Sequence, residues 1–340
     1  MNPKALFQEA LELGTPKPTP ASLWGGGAWA FALAGASYRD LVASPDLVAQ
    51  AITSANEKVG SAVVFVGSGF TNFPMAALGA SLEFKEKGAP ALVGQAVADL
   101  AQVDRLDLDR LDADQALQTL QKAAALVKEA IGATAYVTSI SWAPFTFAGR
   151  LYGMDRLMTA LVDDPKGVEA LLERATEAVF RYHLPYLEAG SVDGVAMADP
   201  MASGDVISRR HFQQFAQPYL AKVTQRFAER GYPVLLHICG RTDDRLDLIA
   251  DAGVKGFFLD HRVDLAKALE VVRGRMCIGG NVDPVNVLAR GTVDDVVQAA
   301  RVCLETAGDG GGYVLTPGCD IPPDVPLANV QALIRTAMGA

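Results

Sequence analysis

Three residues of this 340-residue chain carry the side chains that zinc prefers, one imidazole and two thiols. His237 and Cys239 lie in the run Pro233-Val-Leu-Leu-His-Ile-Cys-Gly240, and Cys319 lies in Leu315-Thr-Pro-Gly-Cys-Asp320. Three protein ligands leave one tetrahedral position of the metal open, which is typical of a reactive site and not of a structural one. The pattern therefore predicts a zinc site that activates a substrate atom, such as a thiol.

The spacing of these residues has a geometric reason. Residues 234–237 are apolar up to the histidine and predict a short strand, in which positions i and i+2 point to the same side. His237 and Cys239 can then face one ion together. Cys319 also follows a short apolar run, residues 312–316, and so lies at an equivalent strand end. The alternative is a buried cysteine that packs as a small apolar side chain beside a histidine bonded to backbone.

The bulk composition excludes several classes of protein. Half of the residues are hydrophobic, the net charge is -9 and the pI is near 5.0, which argues against nucleic acid or an anionic membrane as partner. No apolar run approaches the roughly 20 residues of a membrane span, and the N-terminal sequence has no signal-peptide pattern. Four cysteines are too few for a disulfide framework, so we expect a cytoplasmic protein, with Cys277 and Cys303 as core residues.

Short apolar runs alternate with longer amphipathic segments from residue 60 onward. This alternation predicts a parallel sheet with helices outside it, and at this length a closed (β/α)8 TIM barrel, of class α/β, that forms one domain over residues 1–340. An open doubly wound sheet is the alternative, but no Gly-x-Gly-x-x-Gly follows the first strand. Predicted strands cover residues 62–66, 133–138, 192–197, 234–237, 256–259, 276–279 and 313–315, with a further one near 91–93; predicted helices cover 165–186, 211–230, 243–252 and 293–307, with Ser208 and Thr292 as N-caps.

Two regions lie outside this alternation. Residues 1–59 predict an N-terminal helical extension, with helices near 4–13 and 46–59, and residues 95–130 predict an acidic helical insertion. The glycine- and aromatic-rich segment 24–29 either covers the barrel mouth, where it could contact a cofactor, or packs beneath the barrel. The sequence leaves both placements open.

Polar residues gather at the predicted C-terminal strand ends, where barrels of this type hold their active sites. Asp199 and Asp260 are the candidate catalytic residues, and for both the alternative is a helix or turn cap. Asp260 is expected to orient His237 or to fill the fourth zinc position. Ser139, Asn281 and Asp283 are the candidate cofactor-binding residues, although Asn281 and Asp283 could equally stabilise the turn before Pro284.

Several longer motifs resemble those of the uroporphyrinogen decarboxylase superfamily, over most of the chain from about residue 20 onward. That family has a TIM-barrel fold, in line with the barrel predicted above. The motifs are Ser141-Trp-Ala-Pro-Phe-Thr146 with the following Phe-Ala-Gly-Arg-Leu-Tyr-Gly153, Ala198-Asp-Pro-Met-Ala-Ser-Gly-Asp205, Gly280-Asn-Val-Asp-Pro284 and Thr316-Pro-Gly-Cys-Asp-Ile-Pro322.

The resemblance implies one of two chemistries. The decarboxylase branch has an arginine-rich N-terminal segment that binds substrate carboxylates, whereas residues 24–38 here contain no arginine. The cobalamin-dependent methyltransferase branch has His-x-Cys after one strand and Gly-Cys-Asp near the C-terminus, and there these residues bind a catalytic zinc. Carried over, His237, Cys239 and Cys319 are the zinc ligands.

The resemblance to the methyltransferases implies partners as well as a metal. Such enzymes move a methyl group between a corrinoid, as methylcobalamin on a carrier protein, and a small-molecule acceptor or donor such as coenzyme M or tetrahydrofolate. A methyltransferase is our leading interpretation. The alternatives are a decarboxylase of the same fold and a non-catalytic protein that binds zinc or a corrinoid.

Overall fold

The computed structural model describes residues 2–85 and 88–339, and its centre is one parallel sheet of seven strands. Every neighbouring pair in this sheet is parallel, and the strands follow one another around the sheet in chain order. The predicted α/β class and parallel TIM-type architecture are therefore confirmed. The strands described are β1 (Val63–Val66), β2 (Leu82–Glu83), β3 (Ala91–Leu92), β4 (Tyr136–Trp142), β5 (Gly194–Ala198), β6 (Val234–Ile238), β7 (Gly256–Leu259), β8 (Cys277–Val282) and β9 (Tyr313–Pro317).

The strand predicted near residues 91–93 does not join the seven-stranded sheet. It is β3, which pairs only with β2 in a separate antiparallel ribbon. Each of these strands has two residues, and their side chains are partly exposed, so the ribbon buries too little surface to form part of the barrel wall.

The eighth position in the ring is occupied by an N-terminal segment, residues 20–22. Its backbone hydrogen-bonds on one side to Leu315 of β9, by the pairs Ser22 N–Leu315 O and Leu315 N–Pro20 O, both at 3.0 Å. On its other side the amide of Ala62, next to β1, donates to the carbonyl oxygen of Ala21 at 2.9 Å. The segment thus connects the two edge strands of the sheet, so part of the region predicted as a helical extension belongs to the barrel.

Helices surround the sheet, and their ends follow local sequence rules. Ser208 and Thr292 are N-caps as predicted, and Thr292 forms a capping box with Asp295. The helices described are α1 (Pro3–Leu11), α2 (Gly27–Leu33), α3 (Tyr38–Leu41), α4 (Pro45–Val59), α5 (Phe73–Ala77), α6 (Asp109–Ala113), α7 (Gln115–Ile131), α8 (Pro144–Tyr152), α9 (Met154–Asp163), α10 (Pro165–Glu188), α11 (Arg209–His211), α12 (Gln217–Ala228), α13 (Leu246–Asp251), α14 (Leu265–Val272), α15 (Val293–Ala307) and α16 (Leu327–Ala337).

The predicted insertion at residues 95–130 contributes to the outer helical layer. Its last helix, α7, begins after the cap Asp114 and packs against α4, β1 and β4. This helix therefore provides the crossover from β1 to β4 that every parallel pair requires. Only the shorter segments before it, the 3-10 turn Leu100–Arg105 and α6, are additions to the barrel plan.

The core has two layers. Large apolar side chains fill the barrel interior, among them Phe65, Ile140, Leu235 and Phe258, while a larger cluster lies between the sheet and the helices. Cys277 and Cys303 are buried among apolar residues, as predicted. Among the described residues, no helix has the length and apolar character needed to cross a membrane.

Candidate metal centre

The fold brings His237, Cys239 and Cys319 together at the C-terminal ends of β6 and β9. His237 is the fourth residue of β6, Cys239 follows that strand directly, and Cys319 lies two residues after β9. Their potential ligand atoms all lie within 4.8 Å of one another. The Nε2 atom of His237 is 3.0 Å from Cys239 Sγ, which is 3.2 Å from Cys319 Sγ. Residues 80 positions apart in sequence thus form one cluster.

The imidazole of His237 is held in one orientation. Its Nδ1 atom lies 2.8 Å from the carbonyl oxygen of Phe258, an acceptor that requires the proton to be on Nδ1. This tautomer leaves Nε2 unprotonated and directed at the sulfurs, as metal binding requires. The ring is 2 % exposed and packs against Trp24, with ring centroids 5.3 Å apart.

The two thiols lie in one environment, but their pKa values shift in opposite directions. The hydrogen bond from Cys239, followed by the effect of His237, lowers the pKa of the Cys319 thiol, although burial opposes this change. The same hydrogen bond, reinforced by burial, raises the pKa of Cys239. Burial alone would lower the pKa of His237, but contact with Cys319 outweighs it and raises that pKa. The lowered pKa of Cys319 favours its thiolate, the form of cysteine that binds a metal cation.

The donor set suits zinc. Sulfur ligands at about 2.3 Å in a tetrahedral site lie roughly 3.8 Å apart. The observed sulfur–sulfur distance is 3.2 Å, so the two sulfurs would move apart slightly to hold the metal. One coordination position is left for a small molecule, since the described residues offer no fourth side chain in this cluster. Such a centre can bind and activate a thiol or another nucleophile.

Asp260 supports the loop after β6 and does not hydrogen-bond to His237. Its carboxylate accepts hydrogen bonds from the amides of Gly240 and Arg262, at 2.6 and 2.9 Å. Burial would raise the pKa of Asp260, but these bonds outweigh it and lower that pKa. The expected role of orienting His237 belongs instead to the carbonyl oxygen of Phe258, because the imidazole lies over β7.

Asp199 is buried at the end of β5, where it caps a helix. Its Oδ1 accepts from the amide of Thr146 at 2.7 Å, within the first turn of α8, and its own amide donates to the carbonyl oxygen of His237. Burial raises the pKa of Asp199 to about 7. The alternative to catalysis was a cap on the turn that follows Asp199, but the side chain makes no such bond and caps α8 instead.

Ser139 lies away from the barrel mouth. Strand β4 continues three residues beyond it, to Trp142, so Ser139 is within the strand and not at its end. The side chain is fully buried and pairs with Nδ1 of His183 on α10 at 2.8 Å. Its expected contact with a cofactor is therefore wrong, because odd-numbered residues of β4 face the helical layer.

Asn281 and Asp283 both stabilise backbone near the site. The side-chain amide of Asn281 donates hydrogen bonds to the carbonyl oxygens of Asp260 and Val263, at 3.0 and 2.8 Å. Asp283 accepts from the amides of Val285 and Asn286, after Pro284. Asp283 thus stabilises the turn at Pro284, the alternative left open beside cofactor binding, whereas Asn281 holds the loop after β7.

Two contacts at the centre were not predicted from the sequence. Trp24 is 2 % exposed and stacks beside Phe65, Phe258 and His237, so it fills the barrel interior beneath the ligands. Asp320 accepts a hydrogen bond from the amide of Gly26 at 2.7 Å, which joins the N-terminal segment to the loop that carries Cys319. Burial raises the pKa of Asp320 to about 6. The Gly-rich run at residues 25–27 was the available signal, since close backbone approach requires small residues.

The barrel and the centre define a class of protein: a TIM-type α/β barrel with a His, Cys, Cys cluster at the C-terminal ends of its strands. The chain belongs to the uroporphyrinogen decarboxylase (URO-D) family, whose model matches residues 4–339. The resemblance inferred from the motifs is therefore confirmed.

Similar proteins come from both branches of this family. Methylcobamide:CoM methyltransferase MtbA of Methanosarcina acetivorans is 34% identical over 57% of this chain and 55% of its own length, so the aligned region spans little more than half of that relative. Uroporphyrinogen decarboxylase of Methylococcus capsulatus is 27% identical over 88% of this chain and 85% of its own length. A solved methyltransferase from Methanosarcina mazei superposes with a TM-score of 0.85 at 26% identity, and covers 99% of this chain and 98% of its own.

Proposed function

We propose that this protein is a zinc-dependent methyltransferase that moves a methyl group between a corrinoid on a carrier protein and a small molecule, either a thiol such as coenzyme M or tetrahydrofolate. The observation that carries this proposal is the convergence of His237, Cys239 and Cys319 on one point at the barrel mouth. It is supported by the similarity to a methylcobamide:CoM methyltransferase and to a solved methyltransferase.

The chain's own residues would prepare the acceptor. His237 and the two cysteines would hold zinc, which supplies the Lewis acidity that lowers the pKa of a bound thiol. The carbonyl oxygen of Phe258 keeps Nε2 of His237 free for the metal. Trp24 and Phe258 close the interior beneath the ligands, so that substrate and corrinoid must approach from the mouth.

The transfer itself balances without an added oxidant or reductant. The acceptor thiol loses its proton to solvent, and its sulfur attacks the methyl carbon of the methylated corrinoid. A sulfur–carbon bond forms as the cobalt–carbon bond breaks, and the electron pair of the broken bond stays with the corrinoid. The reverse reaction, with a methylated thiol as donor, uses the same groups.

A decarboxylase is the second candidate, because a uroporphyrinogen decarboxylase aligns over 88% of the chain. A tetrapyrrole with many carboxylates needs several cations at the site. Residues 24–38 contain no arginine, and Arg39 lies over the ring of Phe84, 4.9 Å from its centroid. The thiol cluster would also have no role in that reaction, so the methyltransferase explains more of the site.

The test is a metal and activity measurement on one preparation. We expect about one zinc per chain by elemental mass spectrometry, and we expect the protein to demethylate free methylcobalamin in the presence of 2-mercaptoethanesulfonate, followed by corrin absorbance. Removal of the metal by a chelator should abolish the reaction, and added zinc should restore it. A metal-free protein that releases carboxyl groups from uroporphyrinogen would instead establish the decarboxylase.

A further inference from the structure

Arg150 is an arginine in the family motif of α8 whose guanidinium has no polar partner among the described residues. Its Nε is buried without a hydrogen-bond partner, and no ion pair among the described residues includes it. Burial lowers the pKa of Arg150, and no nearby carboxylate opposes that change. Arg150 is half-buried, and a buried guanidinium nitrogen without an acceptor is costly, so this residue calls for an explanation.

Other arginines of this chain show what a structural role looks like. Arg245 is fully buried, but it donates to the carbonyl oxygens of Ala202 and Ile207, at 2.8 and 3.0 Å, and pairs with Asp244. Arg156 donates to three backbone carbonyls. Within residues 2–85 and 88–339 Arg150 makes no such contact, and its guanidinium carbon lies 5.2 Å from the centroid of the Trp142 ring.

Arg150 lines a cavity of about 300 Å³ beneath the β2–β3 ribbon. None of the described lining residues is acidic, so the charge of the guanidinium is not neutralised there. Three glycines in the wall leave the space open. The lining residues are Leu92, Val93, Gly94, Gln95, Gly149, Arg150, Gly153, Met154 and Met201.

The cavity is adjacent to the barrel mouth. Trp142 is the last residue of β4 and packs against the interior cluster. In the sheet register, Trp142 is opposite Ala198 of β5, and Ala198 is opposite His237 of β6. Two strand spacings of about 4.8 Å place the Trp142 backbone roughly 10 Å from that of His237. The Arg150 guanidinium, over the Trp142 ring, is thus on the same face of the barrel as the candidate metal centre.

We propose that Arg150 binds the anionic group of the small-molecule substrate, a carboxylate, sulfonate or phosphate on the methyl acceptor or donor. The proposal rests on the function proposed above and assigns the residue that holds the anionic end of the substrate. A guanidinium forms paired hydrogen bonds with such oxyanions, and the cation–π contact with Trp142 holds it beside that ring. The anion supplies the acceptor that the described part of the chain does not.

The test compares an acidic thiol with a neutral one of the same chain length. In Arg150→Met, we expect KM for 2-mercaptoethanesulfonate to rise at least about tenfold, the effect of losing one charge-assisted contact. The KM for 2-mercaptoethanol, which has no anionic group, should be the same in both proteins, as should kcat. Arg150→Lys should recover part of the loss, and 3-mercaptopropionate in place of the sulfonate distinguishes a preference for carboxylates.

Arg301→Met is the charge-matched control, because Arg301 is exposed on α15. It should leave both KM values unchanged. A loss in Arg150→Met that is equal for the acidic and the neutral thiol, or no loss for either, would overturn the proposal. If Arg150→Met does not fold by circular dichroism, Arg150→Gln takes its place with the same expected result.

Binding of ethanesulfonate, which has the anion but no thiol, separates this inference from the proposed function. We expect calorimetry to detect binding to the wild type with or without metal, weakened at least about tenfold in Arg150→Met. That result supports the site even if the wild type transfers methyl to no thiol. Equal binding by both proteins would show that Arg150 is not the anion contact, even if methyl transfer is established.

Discussion

Cys319 is the candidate ligand most distant in sequence, and its substitution tests the metal centre most directly. We expect Cys319→Ala to lower zinc affinity by at least about 100-fold, since loss of a supporting residue alone typically costs about 10–100-fold. Methyl transfer should be lost while circular dichroism is unchanged, because the side chain is outside both apolar clusters.

Cys277→Ala is the matched control for that experiment. Cys277 is buried in the barrel interior on β8, the strand next to β9, and it is not one of the clustered ligands. Zinc content and activity should therefore remain at the wild-type level. Full zinc content in Cys319→Ala, by elemental mass spectrometry, would remove Cys319 from the site.

Asp320 is expected to position Cys319. Its carboxylate accepts a hydrogen bond from the backbone amide of Gly26, and its own backbone amide contacts the Cys319 sulfur. Asp320 therefore links the Cys319 side chain to the N-terminal segment. Asp320→Ala should weaken zinc binding about 10–100-fold in a chelator competition. Asp324→Ala, an exposed carboxylate in the same loop, should not. Equal affinities in the two variants would contradict the positioning role.

Asp193 joins three elements of the barrel wall. Its carboxylate accepts from Lys4 of α1 at 2.9 Å, from Lys128 of α7, and from the amide of Val137 in β4 at 2.9 Å. Burial would raise the pKa of Asp193, but the lysine contacts outweigh it and lower that pKa. A lowered pKa in the folded state stabilises the protein at pH values above the ordinary aspartate pKa, and this stabilisation is lost as the pH falls.

We therefore expect Asp193→Asn to lower the free energy of unfolding by about 1–3 kcal/mol at pH 7. Urea titrations should show that the difference from wild type decreases below about pH 4, where Asp193 becomes protonated. Asp309→Asn is the control, because the Asp309–Lys17 pair is exposed and should contribute little at any pH. A difference that is constant from pH 3 to 7 would contradict this account.

Gly27, the first residue of α2, allows close contact with the loop after β1. A Cβ added there would lie 2.2 Å from the carbonyl oxygen of Ser68, so backbone must move. We expect Gly27→Ala to lower the free energy of unfolding by about 1–3 kcal/mol. At Gly310 the corresponding distance is 3.6 Å, to the carbonyl oxygen of Ala307, and Gly310→Ala should have no comparable effect. Chemical denaturation of both variants measures the difference.

Closure of the barrel depends on one short segment, residues 20–22, between β9 and β1. Ser22→Pro removes the amide that donates to Leu315 and should destabilise the protein by about 1–3 kcal/mol more than Ser22→Ala, which keeps it. The two variants lose the same buried hydroxyl, so their difference isolates the backbone bond. Equal urea midpoints would mean that the sheet does not need this contact.

The sequence determined the repeated elements and the ligand types. Apolar runs of four to seven residues define β1 and β4–β9, and Ser208 and Thr292 start helices where side-chain capping favours them. His237 and Cys239 are two residues apart in one extended segment, so the alternation of side chains along a strand was enough to place them on the same side. Local rules suffice wherever the deciding contacts lie within a few residues.

Only the tertiary structure decided which distant residues meet. The carbonyl oxygen of Phe258, and not Asp260, orients His237, and Ser139 faces α10 because β4 extends to Trp142. Residues 20–22 occupy the eighth strand position in the ring, where they pair with Leu315 from near the other end of the sequence. The absence of a polar partner for Arg150 among the described residues is likewise a property of the folded chain. Such contacts depend on how strands twist and helices pack, which no pattern of neighbouring residues encodes.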